Sequence, residues 1–112
     1  MRDPVISSGS SSDDWKPLLL ALHELLNRLP VTARSRDRPG IRIEEGRVVD
    51  TAYTGPVLEE AIATNRLCRK TAPSGPYRGV PVVVSPVRNE QGDATGAIGV
   101  VDITGIFDLA TL

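Results

Sequence analysis

Hydrophobic and polar positions along the chain fall into patterned stretches set apart by turn-forming residues. Leu18, Leu22, Leu25 and Leu29 recur at helical spacing, with Trp15, Leu19 and Leu26 widening the apolar face. His23, Glu24, Asn27 and Arg28 occupy the other side. Ser12 or Asp13 can cap this helix, Asp13 and Asp14 complement its positive end, Pro17 is tolerable in its first turn, and Pro30 stops it. Ile41-Arg-Ile43 and Arg47-Val-Val49 alternate around Glu44-Glu45-Gly46, which predicts a tight hairpin. Thr54 caps a second helix that starts at Pro56, carries Val57, Leu58, Ala61 and Ile62 on one stripe, and ends at Asn65. Leu67 to Thr71 reads as a strand of mixed polarity, near a sheet edge.

The stretch from Gly79 to Thr104 organises the remainder. Val80 to Val87 and Ala97 to Ile103 are dense in β-branched residues, and the polar link from Arg88 to Asp93 contains Gly92, so a long antiparallel hairpin is expected. Gly105 to Leu112 reads as a single helical turn. Met1 to Ser12, serine-rich with little to bury, reads as a disordered arm, leaving one domain over 13–112. Val31 to Gly40, with Arg34, Arg36 and Arg38 alternating, reads as a solvated connection, an anion-binding loop being the alternative.

These elements predict an α+β fold: an antiparallel sheet of about five strands, covered by the leucine-rich N-terminal helix and a short central helix. The leucine face is wide for so short a chain. It either covers one face of the sheet or, through Leu18, Leu22 and Leu25, forms a homodimer interface; the two are compatible.

With 112 residues the chain has room for a single core. Its formal charge of -1 gives no electrostatic reason for a nucleic-acid or anionic-membrane partner. The single cysteine, Cys68, can build neither an intramolecular disulfide nor a cysteine-based metal cluster, in keeping with a reducing compartment. The longest apolar stretch, Leu18 to Leu22, is far short of a membrane span, and the N-terminus lacks the apolar core of a signal peptide, so a cytoplasmic location is expected. Aromatics make up 4% of the chain, which argues against a flavin or haem pocket walled by rings, and no cofactor is expected.

Enzyme chemistry finds little support. His23 and Cys68 are each alone of their kind and fall on different elements, so no catalytic pair is expected. Arg66, Arg69 and Lys70 would favour a Cys68 thiolate, but a buried cysteine acting as a small hydrophobe is the plainer reading. Glu44-Glu45 and Glu59-Glu60 are adjacent pairs whose side chains diverge, so no metal site is expected. Gly75-Pro-Tyr-Arg-Gly79 lacks the lysine and spacing of a nucleotide P-loop. The same loop, stiffened by prolines, offers Ser74, Tyr77 and Arg78, with Ser85 on the next strand. An arginine fork with hydroxyls suits a small carboxylate or phosphate ligand, the other reading being a surface loop whose arginine pairs with a neighbouring carboxylate.

The Pro-Val of the first long strand, the charged turn with Gly92, then Gly96-Ala-Ile-Gly-Val-Val101 closing in Asp102-Ile-Thr104 resemble the last two strands of PAS domains, a signature shared with GAF and Cache domains. Val57 to Leu112 is also similar to a small uncharacterised archaeal domain family met mostly in methanogens. The resemblance implies a PAS-like sheet and a stand-alone sensory domain that binds a small anionic metabolite and signals by associating with a protein partner. The alternative is a ligand-free interaction or dimerisation module.

Overall fold

The computed structural model describes residues 6–102. The elements in chain order are α1 (Ser12–Leu25), β1 (Val31–Ser35), β2 (Arg38–Glu44), β3 (Arg47–Tyr53), α2 (Pro56–Thr64), β4 (Cys68–Thr71), β5 (Pro81–Arg88) and β6 (Ala94–Val101). The six strands form one antiparallel sheet in the order β3-β2-β1-β6-β5-β4. The α+β class and both expected hairpins are present. The additional strand is β1, which lies at the centre of the sheet within the stretch expected to be a solvated connection. The central helix accordingly falls between the third and fourth strands.

The two helices lie on opposite faces of the sheet. Side chains alternate across a strand, so Val31, Ala33 and Ser35 of β1 look one way while Thr32 and Arg34 look the other. On the first face, Trp15 and Leu19 of α1 pack with Val31, Ala33, Ile41 and Ile43. On the second, Val57, Leu58 and Ala61 of α2 pack with Val82, Val84, Ala97 and Val101. Small residues make room for the tryptophan ring. A Cβ on Gly96 would come within 3.0 Å of Trp15 Cζ2 and 2.6 Å of the Arg34 carbonyl oxygen. The indole Nε1–H donates to Ser35 Oγ at 3.0 Å, and that hydroxyl donates to the Ser10 carbonyl at 2.6 Å. Residues 6–11, part of the expected arm, are therefore tied to the sheet: Ser10 is buried, Ile6 packs on the first core, and Asp37 N–H donates to the Ser8 carbonyl.

The inward face of α1 is rotated from the expected one. Trp15, Leu19 and His23 are buried, Leu22 is half-buried, and Leu18 and Leu25 are 41% and 79% exposed. His23, expected on the polar side, is 1% exposed because both ring nitrogens are occupied. Nδ1 lies 2.7 Å from the Leu29 carbonyl, which can only accept, so Nδ1 carries the hydrogen; Nε2 accepts the Gly46 N–H at 3.0 Å. The helix starts after Ser11, whose N–H donates to Asp14 Oδ2 at 2.9 Å, so Pro17 falls in the second turn. It ends well before Pro30, where Asn27 and Arg28 take left-handed φ of 58° and 60°. The expected tight hairpin turns on two residues, with positive φ at both Glu45 and Gly46. β4 is an edge strand, as its mixed polarity predicted. The expected C-terminal helical turn, and the last two residues of the Asp-Ile-Thr triplet, lie outside the described residues.

Candidate functional site

Gly99 sits in an otherwise β-branched strand, opposite Thr32 on one side and Val84 on the other. A Cβ there would approach Thr32 Oγ1 to 2.8 Å, Val84 Cγ2 to 3.0 Å and Leu58 Cδ2 to 3.4 Å. Next to this gap is a cavity of about 20 Å³ between the sheet and α2, room for about one water. Its walls include Thr32, Leu58, Tyr77, Val84 and Gly99, and no charged side chain lines it. Thr32 is 3% exposed, and its hydroxyl has no hydrogen-bond partner among the described residues. A surface cleft of about 390 Å³ adjoins the cavity, sharing Tyr53, Pro56 and Ser74 as walls and adding Asp50 and Glu59.

The first turn of α2 borders both spaces. The expected Thr54 cap is replaced by Gly55 at φ 62°, no side chain caps the helix, and Pro56 takes the first position. The Val57 and Leu58 N–H groups have no partner among the described residues, and both residues line the cavity. The opposite end finishes in left-handed Asn65, as expected.

The loop after β4 closes the other side. It is held by Ala72 N–H to the Val80 carbonyl and Gly79 N–H to the Ala72 carbonyl, both at 3.0 Å, and by Val80 N–H to the Tyr77 carbonyl at 2.9 Å. This turns Tyr77 inward, where its hydroxyl donates to the Glu44 carboxylate. The Arg42 guanidinium lies 5.6 Å from the Tyr77 ring centroid and 3.5 Å from Glu44 Oε2. Burial, and then the Glu44 hydrogen bond, push ionisation of the Tyr77 hydroxyl well above the ordinary tyrosine range. Burial does the same, less strongly, for Tyr53.

Of the four residues expected to bind an anion, Ser74 and Tyr77 line the cavity together. Arg78 is exposed on the loop surface. Ser85 pairs with Ile98, which puts it on the opposite face of the sheet, where its hydroxyl donates to the Pro86 carbonyl at 3.1 Å. Sequence reasoning passed over Thr32 and the α2 amides; the available signal was Gly99, since a glycine inside a strand often marks a close approach. Arg34, from the arginine-rich stretch, is committed to the Ser35 carbonyl at 2.9 Å and lies 3.8 Å from Glu59.

Cys68 lies on the α2 face and His23 on the α1 face, so the sheet separates them. The Cys68 sulfur is 3.6 Å from Glu60 Oε2, and burial, followed by that carboxylate, pushes its ionisation upward. Lys70, one of the cations near it in sequence, is taken up by Glu60 at 2.7 Å.

A family model for an uncharacterized protein conserved in archaea (DUF2111) matches residues 22–104. The uncharacterized protein MJ0405 of Methanocaldococcus jannaschii is 50% identical over 105 residues, which cover 92% of this chain and 79% of the relative. No solved structure matches. The matched span contains the whole sheet, α2 and every wall of the cavity. The chain belongs to this archaeal family of uncharacterized proteins, DUF2111.

Proposed function

We propose that the chain is a protein-interaction module that pairs with a second copy of itself through the outer face of α1. The observation that carries this reading is the stripe Leu18, Leu22 and Leu25, one helical face of which the ends are 41% and 79% exposed. The interior supports it too, because a metabolite pocket needs roughly 300 Å³ and the cavity under α2 has about 20 Å³. Such a module needs no catalysis and no cofactor. No helix among the described residues is long and apolar enough to cross a membrane. Light scattering on the eluting protein tests it: the wild type runs as a dimer, and Leu25→Lys runs as a folded monomer. A monomeric wild type removes this reading. A Leu25→Lys variant that stays dimeric moves the interface elsewhere.

A second reading keeps the PAS-like expectation of a stand-alone sensory domain that answers a small anionic metabolite by changing its protein associations. It is favoured by the convergence of Ser74 and Tyr77 on the cavity between sheet and α2. The six-stranded antiparallel order with a helix following the first strands is compatible with that arrangement.

A further inference from the structure

We propose that the cavity under α2 and the cleft beside it together form a binding site for a small aliphatic amino acid; this rests on the second, sensory reading. Three features belong to residues that line one cavity. The N-terminus of α2 presents the Val57 and Leu58 N–H groups without partners, at the positive end of the helix dipole. Thr32, a residue 3% exposed whose hydroxyl is equally without a partner, lines the same cavity. Gly99 keeps that space open, because any larger side chain would run into Thr32 Oγ1 and Val84.

Donors arranged around a space that holds about one water suit one oxygen of a carboxylate, which is an acceptor and nothing else. The remainder of such a ligand would lie in the adjoining cleft of about 390 Å³. That cleft is lined by Asp50 and Glu59 and by no cationic side chain. Asp50 Oδ1 accepts the Ala52 N–H at 2.8 Å, leaving Oδ2 without a hydrogen bond, while Glu59 lies 3.8 Å from Arg34 with its side chain 59% exposed. A bare carboxylate would meet like charge on entering. A molecule bearing an ammonium group a few bonds from its carboxylate satisfies both ends at once, with acceptor oxygen toward the α2 amides and Thr32 and the cation toward Asp50. Arg78 and Ser85 take no part.

The test is an amide-resolved NMR titration of the full chain with glycine, alanine, β-alanine and γ-aminobutyrate, and with acetate and ethylamine as half-ligands. At least one amino acid is expected to shift the Val57, Leu58 and Gly99 amides saturably, with acetate at least about tenfold weaker. Thr32→Val, which removes only the hydroxyl, should weaken binding by about tenfold or more, as loss of a hydrogen bond to a charged group does, and Thr32→Ser should restore it. Circular dichroism melts confirm that both variants fold. Asp50→Asn should weaken the amino acid and leave acetate unchanged. Saturable binding that Thr32→Val does not weaken overturns this site and leaves the sensory reading standing. Acetate binding as tightly as every amino acid overturns the role of the ammonium group. Absence of saturable binding by any probe overturns both the site and the sensory reading.

Discussion

The Tyr77 hydroxyl gives its hydrogen to Glu44, and that bond ties the loop following β4 to β2. Tyr77→Phe keeps the ring and leaves the carboxylate short of a donor, so urea unfolding should register a loss of about 1–3 kcal/mol. The proton has a direction as well. Burial and Glu44 hold it on the native hydroxyl, whereas the unfolded chain releases it near pH 10. A group whose folded ionisation is raised contributes fully below the unfolded value, so stability should fall as pH climbs past about 10, less steeply in Tyr77→Phe. Equal slopes in the two proteins would sever Tyr77 from the alkaline transition. The sequence makes Tyr77 visible as the polar residue of a proline-stiffened loop. Whether its hydroxyl faces a ligand or the protein depends on Glu44, 33 residues away, which no local pattern reveals. Ser85 poses the same difficulty on a strand. The two-residue alternation is plain in the sequence, but which parity faces α2 is set by strands and a helix elsewhere in the chain.

Between α1 and the β2–β3 hairpin, one imidazole adds a polar tie to the apolar packing. His23 joins the carbonyl of Leu29, just beyond the helix, to the N–H of Gly46 at the tip of the turn. His23→Ala should cost about 1–3 kcal/mol by stranding both groups, and the Gly46 amide should exchange with solvent faster than in the wild type. Unchanged exchange would mean that the turn holds itself. The hairpins and α2 were legible because each carries its own punctuation: Glu45-Gly46, Gly92, Pro56 and Asn65. β1 was hidden for a physical reason. Its inward residues after Val31 are Ala33 and Ser35, small because Trp15 lies across them, and Thr32 and Arg34 between them look like a polar linker. The apolar weight that marks a strand is here carried by the helix above it. The same substitution of partner for pattern put His23 on the wrong side of α1, since a histidine reads as polar until both its nitrogens have found partners.

At the scale of the molecule, the cores on the two faces share β6, which pairs with β1 at the centre of the sheet. Opening β6 exposes both cores at once and opening β1 splits the sheet at its centre, whereas β3 and β4 each have one neighbour. Native-state hydrogen exchange should therefore find the bonded amides of β1 and β6 slowest, exchanging only through global unfolding, with those of β3 and β4 opening locally. Amides of β4 as slow as those of β6 would contradict this shared-core picture. The central pair joins Val31 to Val100, far apart in the sequence. The pairings on either side are local and can form as they leave the ribosome, but the seam between them closes only once β6 has been made. Until then α1 has only half of its sheet to lie on, and the growing chain exposes the first strand's free edge. The order of folding thus follows from the topology: β6 supplies the missing neighbour of both β1 and β5, so the two sides of the sheet join in the step that completes the second hairpin.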